Sequence, residues 1–378
     1  MNIIHIVRGD FSPDTLNGVY KVIDCLSKAF AQSIGGGGSV TVCSVNPTRQ
    51  ASIYHSEYYN HVQYREHPLR FFLDKDFERF LLSQPQDTIF HFHSVFIPWF
   101  LPAVKLLKAH GYRRVVLTPH GQYTDEAMSR SLKKRVFFRF FDRRILRTVD
   151  AVQMIGRSEE NCYLTDNARE RHLIPNGCDA HGGTLAPAPK QLTFGYLGRI
   201  EVTQKGIDTM MRAFAFHLKT GGKGTLRIAG DGKDRQAMET LCRELGISDR
   251  VEFAGKVFGE EKWRFLQGCA WFLHPSRWDV IPTACMEAAA CGVPLIVSRE
   301  TNLDPYIAQF RSGLVMRADN RPVQALAELL RLAEKVFGQS EEYQTYRSNS
   351  LKMIVQRLNW NQIAQCVLSQ LYAVAEHS

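Results

Sequence analysis

The sequence predicts an α/β protein made of two doubly wound domains, each a parallel sheet with helices on both faces. Its 378 residues suffice for two or three domains at roughly 150 residues each. Short runs rich in β-branched residues alternate with amphipathic segments, which is the pattern of successive βαβ units. The alternation stops once in a turn-rich stretch and then begins again, which indicates a second domain of the same kind.

The first domain is predicted over residues 1–180. Its strands correspond to short apolar runs at residues 3–7, 40–45, 88–93 and 115–118. The turn-rich stretch at residues 176–190 contains three glycines and two prolines, so we place the linker there.

The second domain is predicted over residues 190–355. Its strands correspond to runs at residues 194–197, 226–229, 251–253, 270–274 and 295–298. Residues 356–378 are predicted to form a closing helix that packs back toward the first domain. Ligands of open parallel sheets bind beyond the carboxyl ends of the strands, so a cleft between two facing domains is the expected site.

Composition is that of a folded soluble protein, because apolar residues make up 44% of the chain and charged residues 22%. The nine cysteines never occur as C-x-x-C, which argues against a zinc knuckle and favours reduced thiols. No apolar run approaches the roughly 20 residues of a membrane span, and no signal peptide is recognised. We therefore expect a cytoplasmic protein.

Much of the net charge of +9 lies in one segment, residues 129–147, where eight basic residues and one acid give a local charge of +7. On a helical wheel, Leu132, Val136 and Phe140 form an apolar stripe among cations. The cations of this face are Lys133, Arg139, Arg143 and Arg147. Such a face suits an anionic membrane surface. A solvated helix is the alternative, and nucleic acid is disfavoured because no recognition motif accompanies the cluster.

Two cations follow a glycine turn at the end of the first strand of the second domain. Gly198 and Arg199 stand directly after this strand, and Lys205 comes six residues later, just before a helix. Glycine lets a ligand approach the backbone, and a guanidinium and an ammonium near a helix amino end can hold a diphosphate. Two ordinary surface cations in a βα loop would give the same pattern, and these residues alone leave both interpretations open.

A pair of acids lies in residues 274–288, where a strand is followed by a loop and by a helix that begins near Pro282 or Thr283. Asp279 precedes this helix and Glu287 lies about one turn inside it. Both carboxylates can therefore face one ligand at the helix amino end and accept hydrogen bonds from sugar hydroxyls. The neighbours of Glu287 are small or apolar, so its carboxylate is expected to be partly buried and to need a partner.

In this order, the motifs resemble those of the retaining glycosyltransferases of family 4, which have the GT-B architecture of two facing Rossmann-like domains. The resemblance covers nearly the whole chain. Its motifs are an amino-terminal glycine loop, His-Gly after a strand, Ile-Pro-Asn-Gly-x-Asp before the linker, Gly-Arg…Lys-Gly, Ala-Gly-Asp-Gly, and an E-x7-E-like element leading into Ala-x-x-x-Gly-x-Pro. The resemblance also favours an enzyme of bacterial polysaccharide or lipopolysaccharide assembly.

The resemblance implies roles for side chains at matching positions. Arg199 and Lys205 match the pair that binds the donor diphosphate, and Glu287 matches the second acid of E-x7-E, which contacts the ribose. Asp279 stands where the family usually has Glu, whose carboxylate reaches the hydroxyls of the donor sugar. His120, in a His-Gly pair, matches the histidine that lies beside the transferred sugar.

The resemblance also implies backbone contacts to the donor. Gly18 matches the second glycine of the family's Gly-Gly loop near the donor phosphates. The loops at Gly230 and Val257 resemble those that surround the nucleobase. The start of the helix after Asp279 is expected to offer backbone N–H groups to the sugar or phosphate. The residues concerned are Val280, Ile281, Pro282 and Thr283.

Two possible metal motifs are interpreted structurally. Residues 74–76 spell D-x-D but stand at an apparent helix start, where acids are favoured, so we expect a helix cap. His91 and His93 would point to one face of a strand, yet no acid has suitable spacing, so we expect a hydrogen-bonded pair. Arg199 and Lys205 can offset the charge of the leaving diphosphate, so we expect no metal and no cofactor.

The sequence therefore predicts a hexosyltransferase that moves a sugar from a nucleotide diphosphate to a hydroxyl of a glycan. The basic helix favours a lipid-linked acceptor and peripheral binding to the inner face of the plasma membrane. In this hypothesis Arg199 and Lys205 stabilise the departing diphosphate, and the acceptor attacks the face that it vacates. A nucleotide-sugar epimerase of the same fold and a non-catalytic protein that binds a nucleotide sugar or a lipid are the alternatives.

Overall fold

The computed structural model describes residues 1–13, 17–47, 53–129, 131–182, 185–317 and 320–373. The chain divides into two compact units. The first consists of Met1–Asn176 together with Trp360–Ser378, and the second is Gly177–Asn359. The boundary between the two units at Asn176 and Gly177 thus lies at the start of the turn-rich stretch at residues 176–190.

The first unit is built on seven parallel strands in the order β3-β2-β1-β4-β5-β6-β7. The strands are β1 Asn2–Arg8, β2 Ser39–Asn46, β3 Asn60–Arg65, β4 Ile89–His93, β5 Arg114–Thr118, β6 Ala151–Met154 and β7 Glu170–Leu173. The helices are α1 Gly18–Ile34, α2 Lys75–Leu82, α3 Phe100–Ala109, α4 Asp125–Ser129, α5 Leu132–Phe137, α6 Arg143–Thr148 and α7 Arg157–Glu160. Short 3-10 helices occupy Gly35–Gly37 and Thr165–Asn167.

The second unit is built on six parallel strands in the order β10-β9-β8-β11-β12-β13. The strands are β8 Thr193–Leu197, β9 Thr225–Ala229, β10 Val251–Gly255, β11 Trp271–His274, β12 Leu295–Ser298 and β13 Gly313–Met316. The helices are α8 Val202–Lys205, α9 Ile207–Lys219, α10 Arg235–Glu244, α11 Gly259–Gln267, α12 Thr283–Ala290, α13 Asp304–Phe310, α14 Pro322–Phe337 and α15 Ser340–Met353. A 3-10 helix spans Arg299–Thr301 and a π-helical turn spans Ile354–Leu358.

The last helix, α16, spans Trp360–Cys366, continues as a π-helical turn over Val367–Leu371, and belongs to the first unit. Its apolar side chains join those of α1 and of one face of the first sheet in a single buried cluster. The Arg114 guanidinium, at the start of β5, donates to the carbonyl oxygen of Leu371 at 2.7 Å. Residues 360–372 therefore contribute to the core of the first unit.

The prediction of two doubly wound α/β domains is confirmed by these sheets. In each sheet the strand order reverses once, between β1 and β4 in the first unit and between β8 and β11 in the second. Ligands of such sheets bind where the order reverses, beyond the carboxyl ends of the strands. The loops after β8 and β11 carry Arg199, Lys205 and Asp279, so these residues lie at the position that the topology favours.

The basic segment is helical but not one regular helix, because a π-helical turn over Phe138–Asp142 separates α5 from α6. A helical wheel at 100° per residue places Phe137, Phe138, Phe141 and Ile145 on one inward arc. In the structure Phe138 and Ile145 are buried, whereas Phe137 and Phe141 are only half-buried. A π turn holds more residues than an α turn and rotates the side chains that follow it, so a wheel at a constant 100° per residue does not describe the segment beyond Phe138. Among the described residues, no helix is both long and apolar enough to cross a membrane.

Candidate functional site

An enclosed ion pair joins the two loops that follow β8 and β11. Lys205 Nζ lies 2.5 Å from Asp279 Oδ2, and the two side chains are 12% and 14% exposed. The same oxygen lies 3.1 Å from His274 Nε2 and accepts from the Ser276 hydroxyl, and Oδ1 accepts from the Val280 N–H. Burial alone would raise the pKa of Asp279, but the His274 hydrogen bond and the Lys205 charge lower it well below its usual range. Asp279 is therefore an ionised carboxylate in a fixed position.

The position of Lys205 depends on the glycine that follows it. Helix α8 ends at Lys205 and is capped by Gly206, which adopts a left-handed conformation with φ of 64°. A Cβ atom at this position would collide with the carbonyl oxygen of Pro275 in the loop after β11. The Arg277 N–H donates to the Gln204 carbonyl oxygen at 2.8 Å and joins the same two loops. Glycine after Lys205 therefore allows a close approach of the loops after β8 and β11, which carry the two members of the ion pair.

Arg199 lies beside this pair but is far more accessible, with 67% of its side chain exposed. Its guanidinium donates to Gln204 Oε1 at 2.9 Å, next to Lys205 in the chain, and lies 3.2 Å from Glu201 Oε2. Lys233 approaches the other Glu201 oxygen at 3.3 Å. The structure thus places Arg199 in contact with the residue that precedes Lys205, while Arg199 is paired with Glu201 and Lys205 with Asp279.

Glu287 has the partner that its apolar surroundings demand. Its Oε1 lies 2.7 Å from Nζ of Lys262, on α11, and the two side chains are largely buried. The same ammonium lies 4.2 Å from the ring centroid of Trp263, whose indole stacks on His181 at 4.1 Å. The sequence analysis missed Lys262, because nothing in the local sequence distinguishes it from other lysines on an amphipathic helix.

The glycines of the second unit are explained by packing between loops. Gly230 has φ of 132°, and a Cβ atom there would collide with the carbonyl oxygen of Gly198. The Gly230 N–H donates to the Gly255 carbonyl oxygen at 2.6 Å, so the loops after β8, β9 and β10 lie against one another. Val257 is buried beside them. The predicted contact of these loops with a nucleobase stays a prediction.

The structure corrects the expected backbone donors at the start of α12. Pro282 has no N–H group, and the Ile281 N–H already donates to the carbonyl oxygen of Thr301 at 3.1 Å. Helix α12 begins at Thr283, so the N–H groups that can meet a ligand are those of Thr283 and Ala284 in its first turn. The prediction is therefore wrong for Ile281 and Pro282 and is kept for Thr283.

In the first unit, His120 follows β5 in a left-handed conformation with φ of 55°. Its Nε2 lies 2.9 Å from His93 Nδ1. The N–H of Gly121 donates to the buried carboxylate of Glu159 at 2.5 Å, which fixes the turn, and burial raises the pKa of Glu159 to about 7. Burial lowers the pKa of His120 to about 3, so this ring is neutral at physiological pH.

Gly18 is the first residue of α1, next to Asn17, whose side-chain oxygen accepts the Val19 N–H at 3.0 Å. A Cβ atom at Gly18 would meet nothing within 4 Å, so the chain itself does not require glycine here. Asp74 caps α2 by accepting the Asp76 N–H at 3.0 Å, which confirms that the D-x-D motif is a helix cap.

The comparisons with known proteins agree with this fold. Residues 16–181 match the family described as Glycosyltransferase Family 4, and residues 184–351 match Glycosyl transferases group 1. Each match covers less than half of the chain, and both agree with the GT-B fold of two parallel-sheet domains. In chain order, the part similar to Glycosyltransferase Family 4 comes first, and the part similar to Glycosyl transferases group 1 follows it.

Relatives with curated descriptions match part of the chain. An uncharacterized glycosyltransferase of Methanocaldococcus jannaschii is 28% identical over 170 residues, which are 45% of this chain and 42% of the relative. A GDP-mannose-dependent alpha-(1-6)-phosphatidylinositol dimannoside mannosyltransferase of Mycobacterium tuberculosis is 29% identical over 193 residues, 50% of this chain and 45% of the relative. The matches thus span about half the length of these relatives.

Solved structures match the whole chain. Sucrose-phosphate synthase from Thermosynechococcus elongatus has a TM-score of 0.73 at 20% identity and covers 98% of both chains. Anabaena HepE in complex with UDP-glucose has a TM-score of 0.68 at 15% identity and covers 98% of this chain and 99% of its own. At these identities the likeness establishes the fold.

Proposed function

We propose that the protein is a retaining hexosyltransferase that moves a hexosyl unit from a nucleotide diphosphate sugar to a hydroxyl of a glycan in surface-polysaccharide or lipopolysaccharide assembly. The observation that carries this proposal is the joined pair Lys205–Asp279 with Arg199 beside it, at the edge of the sheet where the strand order reverses. This pair holds in one place a cation for the leaving diphosphate and a carboxylate for the hydroxyls of the sugar. The complex of HepE with UDP-glucose supports a nucleotide sugar as the donor.

In the proposed mechanism, the bond between the sugar C1 and the diphosphate oxygen breaks while Arg199 and Lys205 stabilise the negative charge that develops on the diphosphate. The acceptor hydroxyl forms its bond to C1 on the face that the diphosphate leaves, so the anomeric configuration is retained. The departing diphosphate oxygen takes the proton of that hydroxyl. Two cations suffice to offset this charge, so we propose that the step needs no metal ion.

Asp279 can contact the donor sugar although it is shorter than glutamate. Its Oδ2 is engaged by Lys205 and His274, but its Oδ1 accepts only the Val280 N–H and keeps a free lone pair among the described residues. A sugar hydroxyl can donate to this oxygen without displacing the ion pair. Glu287, oriented by Lys262, is proposed to accept from the ribose hydroxyls.

Replacing Glu287 or His120 with alanine should each lower the initial rate of transfer at least about tenfold. Either change removes a proposed contact to the donor. UDP-glucose and GDP-mannose are first screened for thermal stabilisation of the protein, because a ligand that binds the folded state raises its apparent stability. The stabilising compound then serves as donor with a glycan acceptor.

The matched controls are Glu244→Ala and His110→Ala, because both residues are exposed on helix ends of the same protein. Their transfer rates should stay close to those of the original protein. Wild-type rates in the Glu287 and His120 variants would refute the assignment of these two residues. Binding of the donor without any turnover would favour the non-catalytic alternative.

We further propose that the basic segment binds an anionic membrane surface and that the acceptor is lipid-linked. The apolar stripe predicted from the sequence is open to solvent, with Leu132 68%, Val136 48% and Phe140 52% exposed. Asp142, the single acid of the segment, is buried, and burial raises its pKa to about 7. The exposed face is therefore both apolar and purely cationic, as membrane binding requires.

A second apolar segment, which the sequence analysis missed, borders this face. Leu69, Phe71 and Phe72 lie exposed in the loop before α2. The ring of Phe71 packs on Phe141 of the basic segment, with 5.0 Å between the centroids. The loop thus adds large apolar side chains to the edge of the cationic face, and these can enter the interfacial region of a bilayer. The lipid specified in the name of the M. tuberculosis relative supports a lipid acceptor.

Changing four cations of this face to serine should lower the partition coefficient of the protein onto vesicles containing anionic lipid at least about tenfold, since each cation contributes about 1 kcal/mol. The partition coefficient is measured from the fraction of protein that sediments with the vesicles. The substitutions are Lys133→Ser, Arg139→Ser, Arg143→Ser and Arg147→Ser. Hydrolysis of the donor should be unchanged. A control variant carries four exposed cations of the second unit changed to serine: Arg212, Lys219, Arg243 and Lys335. Equal loss of sedimentation in both variants would refute a specific membrane face.

A further inference from the structure

A row of polar side chains runs through an otherwise apolar face of the first sheet, beneath α1 and α16. His5 on β1 lies opposite His91 on β4 in the strand register, and His93 follows two residues later on the same face. All three rings are buried, and His91 stacks on His93 at 4.1 Å. Polar groups in such a place are retained only with hydrogen-bond partners, so the partners of each nitrogen define the proton positions.

The proton on His91 is fixed by a chain of partners. The Gln153 amide donates to the Ile174 carbonyl oxygen at 3.0 Å, so its Oε1 faces Thr118 and accepts the hydroxyl proton at 2.9 Å. The Thr118 hydroxyl has one proton and must therefore accept from His91 Nε2 at 2.6 Å. His91 Nδ1 is then the bare nitrogen, and it accepts from the Tyr372 hydroxyl at 2.7 Å.

A second chain links His5 to His120 through His93. His5 Nδ1 lies 2.8 Å from His93 Nε2, and His93 Nδ1 lies 2.9 Å from His120 Nε2. Burial lowers the pKa of His5 and of His120 to about 3, and that of His93 well below its usual value. Each ring therefore carries one proton at neutral pH. The chain then has two arrangements, with all three protons on Nδ1 or all three on Nε2.

The far end of the chain distinguishes the two arrangements. His5 Nε2 is buried without a hydrogen-bond partner among the described residues, and its ring stacks on Phe30. Protons on Nε2 would leave a buried N–H group without an acceptor, whereas protons on Nδ1 leave only a lone pair there. Buried N–H groups without partners are rarer in proteins than acceptors without partners. The arrangement with protons on Nδ1 is therefore favoured.

We infer that His5 and His93 are positioning residues that hold His120 with its proton on Nδ1, so that His120 offers a ligand a hydrogen-bond donor. His93 contacts Nε2 of His120, so Nδ1 is the ring nitrogen that remains available to a ligand. If the proposed function holds, His120 donates to an oxygen of the donor sugar and does not act as the general base for the acceptor. The acceptor proton then goes to the departing diphosphate.

The same three histidines bring ring nitrogens within 4.8 Å of one another, a spacing that also admits a metal ion. A metal would need bare nitrogens that converge, but both nitrogens of His91 are committed to Thr118 and Tyr372. The contact between His5 and His93 also holds a proton between its two nitrogens. The hydrogen-bonded chains therefore explain the cluster better than a metal does.

Long-range 1H–15N correlation spectra of the full chain with 15N-labelled histidine, free of ligand at pH 7.5, test this inference directly. We expect a protonated Nδ1 in His5, His93 and His120, and a protonated Nε2 in His91. Signals are assigned from single histidine variants. Protonated Nε2 in His120 would overturn the inference. A joint shift of the His5, His91 and His93 nitrogens on addition of Zn²⁺ would overturn it in favour of a metal site.

His93→Phe and His91→Phe form a matched pair, because both remove a buried histidine from β4 but only the first interrupts the chain. In His93→Phe the Nδ1 proton of His120 should become mixed with the Nε2 form, and transfer should fall at least about tenfold. In His91→Phe the His120 proton should stay on Nδ1. An unchanged His120 in both variants would show that the chain does not set the proton.

The wild-type spectrum decides the inference even where a variant fails to fold. It is recorded without donor or acceptor, so it does not depend on the proposed function. A protonated His120 Nδ1 in a protein that turns over no nucleotide sugar would sustain the inference and reject the proposed function. The reverse result, active transfer with a bare Nδ1, would reject the inference alone.

Discussion

Replacing Lys205 with methionine should lower the initial rate of sugar transfer at least about tenfold, a loss of roughly 1.4 kcal/mol in transition-state stabilisation. The change removes a cation from the departing diphosphate. It also leaves the Asp279 carboxylate buried without its cation, and breaking a buried pair destabilises a protein by about 3–5 kcal/mol. We therefore expect the variant to lose both activity and resistance to urea, measured separately.

A double variant, Lys205→Met with Asp279→Asn, distinguishes the two effects. Because neither charge remains alone, much of the lost stability should return, while the rate of transfer should stay low. The urea midpoint and the rate are compared across the single and double variants at one donor concentration. Recovery of the transfer rate together with stability would refute both the diphosphate role of Lys205 and the sugar contact of Asp279.

Lowering the pH from 7.5 to 5.5 should destabilise the first unit. Burial lowers the pKa of His5 and His120 to about 3, and those of His91 and His93 well below their usual value. Below about pH 6.5 the unfolded chain takes up protons on these rings while the folded unit does not. Stability is therefore full above this pH and falls as the pH is lowered, by up to about 1.4 kcal/mol per pH unit and histidine.

Two buried acids oppose this trend. Burial raises the pKa of Asp142 and of Glu159 to about 7, so the folded unit keeps protons that the unfolded chain has released above about pH 4. These four histidines against two acids leave a difference of about two protons, or about 2.7 kcal/mol per pH unit. Burial also lowers the pKa of His61, which adds to the slope with the same sign. The unfolding free energy of the first unit should therefore still fall as the pH is lowered.

Pulse proteolysis in urea, followed by mass spectrometry of peptides from β1 and β4, reports on the first unit. Its unfolding free energy should fall steadily between pH 6.5 and 5.5. His5→Phe should reduce the slope by about one proton, whereas His110→Asn, at an exposed histidine, should leave it unchanged. A slope of zero or of the opposite sign would contradict the neutral state of the buried rings.

The sequence predicted most strands that are buried on both faces and, of the four edge strands, only β10. Apolar runs marked β1, β2, β4 and β5, because a central parallel strand is covered by helices on both sides. The strands β3, β7 and β13 lie at sheet edges, are partly exposed, and have mixed sequences that no apolar run reveals. The central strand β6 was also missed, although β11 and β12, which are equally short, were predicted.

Candidate site residues could be found from the sequence only where local spacing placed them. Asp279 and Glu287 flank the start of one helix, so their positions followed from the strand and helix pattern. Their partners Lys205 and Lys262 are 74 and 25 residues away in the chain, and those contacts exist only after the strands have paired. Partner choice is a tertiary property, which periodicity does not encode.

Chain order gives the closing helix α16 a consequence for synthesis. A ribosome makes all of Gly177–Asn359 before it releases the segment that covers α1 and one face of the first sheet. Until then, the apolar side chains that α16 covers in the folded structure are exposed on the nascent amino-terminal unit. Exposed apolar surface promotes aggregation in the cell. Moving residues 360–373 to a position before Met1, joined through a flexible linker, would make the covering segment first in translation. This change should increase the yield of native protein.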